Sequence, residues 1–245
     1  SALVLLLGLS NISFAQETTD AQKELESIVD EGLVKFKSKD GKYSFRVGAR
    51  AAVDGALYAD DYTDRSSGAK FSAARICILS KLGNKVDFKL DMDFTSKSIL
   101  KDVYLRWHSN KNGFLRLGNF TEAFSAENMQ SSFDYPFINK SATTEAFGTG
   151  RSLGLAYRYY HPYFWAEAGI YSQKVSTEIK KGDMGYSASA RLLGRVTRDD
   201  WNFHIGGSFN FRRPDANGFT NGSDDFNRTV NIHSCLESAI DDTRF

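Results

Sequence analysis

The sequence of 245 residues contains little cysteine, little proline and almost no net charge. Its two cysteines, Cys77 and Cys235, lie far apart and outside any CxxC or Cys/His spacing, so they support neither a zinc site nor a disulfide framework. Two free thiols are expected, and a single bridge between them is the alternative. The 31 basic and 30 acidic residues give a formal net charge of +1, which provides no case for a nucleic-acid binder, because such proteins normally carry a basic excess.

The sequence also lacks the run of roughly 18 apolar residues that a transmembrane helix needs. Its one apolar run, ALVLLLGL at residues 2–9, is too short to span a bilayer. Ser13 and Ala15 then occupy the small-residue positions of a signal-peptide cleavage site. We therefore predict a partial signal peptide over residues 1–15 and an exported mature chain, with a soluble N-terminal helix as the alternative. If the mature chain is in a membrane, it must cross it as a barrel of strands.

Residues 16–42 are mostly polar, and Leu25, Ile28 and Val29 form one weak helical stripe within them. We predict a periplasmic leader that contains a short helix. A leader without regular structure is the alternative.

From Tyr43 onward, apolar and polar residues alternate with a period of two, which is typical of β-strands. The clearest example is KVDFKLDMDF, residues 85–94, where an apolar row alternates with a charged row of Asp87, Lys89, Asp91 and Asp93. About ten such segments follow one another, and 19 Phe and 11 Tyr against only 3 Pro favour an all-β fold.

The connections between these segments alternate between long and short. ADDYTDRSSGAK, residues 121–150 and KVSTEIKKGDM are long, whereas Gly83-Asn84, His161-Pro162 and Asp199-Asp200 are minimal turns. A soluble β-sandwich has no reason to gather its short turns at one end, since both ends meet the same water, but an outer-membrane barrel does so. We therefore predict an antiparallel up-and-down transmembrane β-barrel over residues 43–245.

Three stretches together resemble the phosphate-selective porin O and P family: DGKYSFRVGARAAVDG, FSAARICILSKLGNKVDFKLDMDF and FLRLGNFTEAFSAENMQSSFDYPFINKSATTEAFGTGRSLGLAY. The resemblance covers roughly residues 32–240. It implies a water-filled, usually trimeric outer-membrane channel of about sixteen strands that prefers anions such as phosphate. Because the chain supplies about ten strands, we expect it to be incomplete, and a complete small barrel is the alternative.

Under this interpretation the basic residues on the polar rows face the lumen and form a track that contacts phosphate oxygens. The predicted pore-lining basic residues are Arg46, Arg50, Arg75, Lys89, Arg106, Arg116, Arg158, Arg191 and Arg195. The same rows carry acidic residues that offer a second interpretation, in which the charges pair and hold the wall together: Asp54, Asp87, Asp91, Asp93, Asp102 and Glu167.

The long connection at residues 121–150 is unusually rich in aromatic residues for a loop in water. We predict that it folds into the pore and forms a constriction with Phe124, Phe133, Tyr135, Lys140 and Arg151. A surface loop that makes trimer contacts is the alternative. Aromatic residues also cluster beside the short turns, where a belt at the lipid headgroups is expected: Trp107, Tyr157, Tyr159, Tyr160, Tyr163, Phe164 and Trp165.

The sequence offers no catalytic signature, because its four histidines lie on separate segments without HExxH, GxSxG or a glycine-rich phosphate loop. We predict a passive diffusion channel for small anions in the outer membrane of a Gram-negative bacterium, assembled as a homotrimer in outer-membrane lipid. No catalytic residue, cofactor, metal or nucleic-acid partner is expected. A soluble secreted β-sandwich that binds a ligand and an outer-membrane barrel hydrolase are the alternatives.

Overall fold

The computed structural model describes residues 29–30, 33–59, 66–131, 139–172, 183–198 and 201–216, together with residues 228, 230, 232 and 234. Eleven described strands form one antiparallel sheet, and each lies beside its neighbours in the chain. They are β1 (Val29–Asp30), β2 (Leu33–Lys37), β3 (Tyr43–Ala56), β4 (Gly68–Leu82), β5 (Val86–Asp93), β6 (Leu100–His108), β7 (Gly113–Thr121), β8 (Arg151–Tyr160), β9 (Phe164–Ser172), β10 (Tyr186–Arg198) and β11 (Trp201–Arg213).

This topology confirms the predicted all-β, up-and-down architecture, and it differs from the two facing sheets of a sandwich. Within the described residues the sheet is open, since no pairing joins β1 to β11. Two short helices, α1 (Ala126–Met129) and α2 (Ala142–Phe147), lie between β7 and β8. No helix among the described residues has both the length and the apolar character needed to cross a bilayer.

Exposed and buried side chains are distributed over the two faces of the sheet in the opposite way from a water-soluble protein. On the apolar face, Leu117 is 57%, Ile170 65% and Phe209 66% exposed. On the polar face, Arg116 and Glu167 are buried. Soluble proteins bury large apolar side chains and expose charged ones, so this pattern indicates an apolar medium outside the sheet and a wet interior.

The connections confirm the predicted alternation of loop lengths. The connections at residues 38–42, 83–85, 109–112 and 161–163 lie at one end of the sheet, where β10 ends and β11 begins after two intervening residues. The strand ends that flank the long connections 57–67, 122–150 and 173–185 lie at the other end, with the six-residue connection 94–99. Gly41 and Gly83 both have φ of +69° in the short turns, a backbone conformation that glycine adopts without steric cost.

The sheet begins before the residue at which the period-two pattern becomes evident. β2 lies inside the expected leader and pairs with β3 in the register Lys35 to Arg46, because LVKFK alternates over only five residues and is easily overlooked. The expected helical stripe falls mostly outside the described residues, and Val29 belongs to β1. The expected signal peptide also lies outside the described residues.

Gly118 in β7 is a position that only glycine fits. Its φ is +139°, and a Cβ atom there would lie 2.2 Å from the carbonyl oxygen of Val103 on β6. We expect Gly118→Ala to lower the free energy of unfolding by roughly 1–3 kcal/mol, the usual cost of such backbone strain. Gly207→Ala is the matched control in β11, because its Cβ atom would meet nothing within 4 Å. Urea denaturation of both variants checks this, and equal midpoints would contradict it.

Candidate functional site

A recess of about 820 Å³ lies on the polar face of the sheet, between the strands and the connection from residue 122 to residue 150. We call this connection the inner segment. Seven basic and four acidic residues line the recess, so its lining has a local positive excess that the near-neutral composition of the chain conceals. The basic residues are Arg50, Arg75, Lys89, Arg116, Lys140, Arg151 and Arg158, and the acidic residues are Asp54, Asp91, Asp102 and Glu145.

Asp102 of β6 bonds two basic side chains at once. Lys89 Nζ lies 2.6 Å from Asp102 Oδ2, and Arg151 Nε lies 2.6 Å from Asp102 Oδ1. Lys89 comes from the adjacent strand β5, whereas Arg151 is the first residue of β8. These three residues, the Asp102 cluster, therefore join the wall to the end of the inner segment.

Glu167 of β9 is shared in the same way by Arg116 of β7 and Arg158 of β8. Arg158 and Glu167 stand directly opposite each other in the β8–β9 register, and Arg116 reaches Glu167 across β8. The Glu167 side chain is completely buried. The Arg116 guanidinium lies 3.9 Å from the centre of the Phe120 ring and that of Arg158 lies 5.0 Å from the centre of Trp165. We call Arg116, Arg158 and Glu167 the Glu167 cluster.

The other predicted pore-lining residues divide into two groups. Arg75 bonds Asp93 at 2.9 Å, and Arg106 lies 3.1 Å from Asp87, whose carboxylate also contacts His108 at 2.7 Å. In the described part of the chain, Arg46, Arg191 and Arg195 make no ion pair. Arg50 stands opposite Arg75 in the β3–β4 register.

Arg191 and Arg195 lie on the same row of β10 in different surroundings. Arg191 Nη1 donates to Ser208 Oγ at 3.0 Å, and its guanidinium lies 5.7 Å from the centre of Trp165. Arg195 is exposed near the short-turn end of the sheet, where its Nη2 donates to the carbonyl oxygen of Pro162. Arg191 is therefore held by neutral groups, and neither Arg191 nor Arg195 is among the residues that line the recess.

The inner segment is attached to the wall where it leaves β7. Glu122 is 2% exposed, and its carboxylate accepts hydrogen bonds from Ser152, Ser187 and Asn210. The backbone N–H of Ala123 donates to Ser189 Oγ at 3.1 Å. These contacts bring the start of the segment against β8, β10 and β11.

Further along, hydrogen bonds to Glu127 join α1 to the start of α2. Glu127 accepts hydrogen bonds from the Ser141 backbone N–H at 2.6 Å, from the Ser141 hydroxyl at 2.5 Å and from the Thr144 hydroxyl at 2.6 Å. The Ser141 hydroxyl, followed by that of Thr144, holds the pKa of Glu127 below its ordinary value. The Ser141 oxygen also accepts from the Thr144 N–H and so caps α2.

Lys140 lies in the same segment and faces the recess. Its Nζ donates to Asn128 Oδ1 at 2.9 Å, and Asn128 in turn donates to the carbonyl oxygen of Thr149 at 2.7 Å. Burial lowers the pKa of Lys140, and the positive charge of Arg151 lowers it further. This lysine therefore loses its proton more readily than an ordinary surface lysine.

The structure places the predicted constriction residues in different positions. Lys140 and Arg151 both line the recess. Phe124 is partly buried and is not among the lining residues, while Phe133 and Tyr135 lie outside the described residues. The sequence analysis did not identify Glu122 or Asn128. For Glu122 the one available signal was an acidic residue directly after the end of β7, and Asn128 carried no signal.

Cysteine residues and possible metal ligands were the other side chains to consider in the described part of the chain. Cys77 is a free thiol opposite Asp91 in the β4–β5 register, while Cys235 lies outside the described residues. Across the described ranges, no group of three or more His, Cys, Asp or Glu side chains is arranged to hold a metal ion. The recess is therefore distinguished by its cationic groups.

A family model described as phosphate-selective porin O and P matches residues 42–245. The match includes β3 to β11, the inner segment and both clusters. No curated protein matches the chain.

The hydrogen bonds that Glu127 accepts from Ser141 and Thr144 predict that α2 is less stable in acid. Because the folded-state pKa of Glu127 lies below its ordinary value of 4.5, its stabilising effect is present above that value and is lost as the pH falls through the folded-state pKa. We expect hydrogen exchange at residues 141–147, corrected for the intrinsic rate, to accelerate upon this acidification. Glu127→Gln should exchange faster at neutral pH and lose the acid step, whereas Glu145→Gln should retain it. An acid step that persists in Glu127→Gln would contradict the assignment.

Proposed function

The chain belongs to the phosphate-selective porin O and P family, and from this premise we propose that it forms the wall of a diffusion channel that favours small anions such as phosphate. The family is one of outer-membrane porins of Gram-negative bacteria, and it implies a channel rather than an enzyme. The exposed apolar face supports contact with outer-membrane lipid. We also propose the homotrimer that the family resemblance implies.

The observation that carries the proposal is the sharing of one carboxylate between two bases. Each of the two clusters holds two positive charges and one negative charge, and Lys89 also lies 3.9 Å from Asp91, which lines the recess as well. All four bases line the recess, whereas Glu167 is completely buried and is absent from the lining. Ion pairing in the wall therefore leaves an excess of positive charge towards the recess, and fixed charge of one sign is a common source of pore selectivity.

The chemistry of these bases suits phosphate in particular. An arginine guanidinium presents several N–H donors in a planar fork that matches two oxygens of a phosphate. Arg50 and Arg75 stand opposite each other, and both line the recess with Arg116, Arg151 and Arg158. Several sites of moderate strength permit passage, since an ion must be able to leave each site as well as enter it.

The inner segment supplies the opposite side of the proposed path. Lys140 lines the recess from the segment, and Arg151 lines it from the start of β8. We propose that the segment narrows the channel at this level, with Lys140 and Arg151 in contact with the passing anion. Phe124 is proposed to pack beside the constriction. The parts assigned to Phe133 and Tyr135 stay predictions.

Planar-bilayer recordings of the complete porin test the proposed function. We expect an ion current whose reversal potential in a KCl gradient indicates preferred passage of chloride. Addition of inorganic phosphate should reduce that chloride current, because phosphate competes for the guanidinium groups. Absence of any current would contradict a channel, and a reversal potential that favours potassium would contradict the anion preference.

The lowered pKa of Lys140 predicts a step in selectivity at alkaline pH. Lysine is charged below its pKa, so anion preference should fall as the pH rises, beginning at a lower pH than the ordinary lysine value of 10.5 requires. Lys140→Arg should remove this step because arginine stays protonated, and Lys140→Gln should show the reduced preference already at neutral pH. Reversal potentials recorded from neutral pH up to the ordinary lysine value of 10.5 measure the effect. A parent-like step in Lys140→Arg would assign it to another group.

A further inference from the structure

Glu122 has a task that the anion path does not explain, because it is an acidic residue buried against the wall of a proposed anion channel. We infer that Glu122 is a positioning residue, which fixes the start of the inner segment against β8, β10 and β11 and thereby sets the width of the channel. This inference rests on the proposed function for its consequence. The attachment itself follows from contacts that do not depend on it.

The carboxylate of Glu122 gathers donors from three strands. Oε1 accepts from Ser152 Oγ of β8 at 2.8 Å and from Ser187 Oγ of β10 at 2.9 Å. Oε2 accepts from Asn210 Nδ2 of β11 at 2.9 Å. A carboxylate is suited to this position, since it offers two acceptor oxygens with several lone pairs and has no hydrogen of its own to place.

The backbone that follows Glu122 continues the attachment. Ala123 N–H donates to Ser189 Oγ of β10, and Ser125 N–H donates to Ser208 Oγ of β11 at 3.3 Å. Ala123 is completely buried. Segment residues 122 to 125 thus lie across the strands on a neutral patch of wall, which is formed by Ser152, Ser187, Ser189, Ser208 and Asn210.

Aromatic rings and glycine residues form the surface of the wall beneath this attachment. Phe120 and Tyr171 pack edge to face with ring centroids 5.6 Å apart. A Cβ atom at Gly154 would lie 2.3 Å from Tyr171 Cδ1, and one at Gly169 would lie 2.6 Å from the Tyr171 hydroxyl. The Tyr171 ring therefore lies flat against the wall only because both positions lack a side chain.

The later contacts of the segment have a different character. Glu127 bonds Ser141 and Thr144, and Lys140 bonds Asn128. These bonds join the segment to itself. Residues 122, 123 and 125 instead donate or accept hydrogen bonds that join the segment to β10 and β11. Loss of Glu122 should therefore loosen the start of the segment from the wall, where the backbone bonds of Ala123 and Ser125 described above would still hold it.

Single-channel conductance of the complete porin tests the role of Glu122. Glu122→Ala should raise the conductance and weaken the anion preference, because the segment no longer narrows the path. The triple variant Ser152→Ala, Ser187→Ala, Asn210→Ala should give the same rise while keeping the acidic residue. Glu122→Gln keeps one acceptor oxygen and the shape of the side chain, but its amide NH2 group meets a donor where the carboxylate offered an oxygen, so its conductance should lie between those of the parent and Glu122→Ala.

Conductance is measured on individual inserted channels, so a lower folded yield does not alter it. A parent channel that conducts, together with parental conductance in both Glu122→Ala and the triple variant, would overturn the inference.

Limited proteolysis of the inner segment provides a readout that needs no current. Cleavage within residues 122–150, located by mass spectrometry, should be faster in Glu122→Ala than in the parent and in Glu122→Gln. Faster cleavage with no current in the parent would reject the proposed channel while supporting the attachment. Equal cleavage rates in all three proteins would reject the attachment itself.

Discussion

The sharing of one carboxylate between two basic side chains is the interaction on which the wall and its proposed selectivity both depend. A buried charge without a partner is strongly destabilising, so bases on the polar face need acidic residues beside them. Glu167 meets this need for two strands at once, and Asp102 does so for β5 and the start of β8. These two carboxylates pair with four bases, of which Lys89 also lies 3.9 Å from Asp91, and all four bases line the recess.

Aromatic rings give these bases a second support. The Arg116 guanidinium lies over Phe120, and that of Arg158 lies near Phe114, Tyr160 and Trp165. Stacking on a ring face holds a guanidinium in place while its N–H groups at the edge still reach a carboxylate or an anion. Phe120 also packs on Tyr171 beneath the attachment of the inner segment. The same aromatic layer therefore orders the charged wall and the segment opposite it.

Strand positions and the two faces of the sheet could be predicted from sequence because alternation is a local signal. The pairing of charges could not, since the meeting of Arg116 with Glu167 depends on the register of β7, β8 and β9. The predicted lipid belt was wrong for two members: Trp165 shares the polar row of β9 with Glu167, and Tyr160 shares that of β8 with Arg158. The belt was predicted from nearness to a short turn. The alternation of side chains along each strand assigns both residues to the polar face. Glu122 follows the last residue of β7, so the alternation along a strand says nothing about it. Its partners lie on strands that come later in the chain, and only the folded structure brings them together.

The most direct test of the shared carboxylates is the reversal potential of Asp102→Asn, recorded in a KCl gradient beside the parent. Asparagine keeps the size of the side chain but removes the negative charge that Lys89 and Arg151 share beside the recess, while Lys89 retains Asp91 at 3.9 Å. The account predicts a reversal potential shifted towards stronger anion preference. An unchanged value, or a shift towards cations, would contradict it.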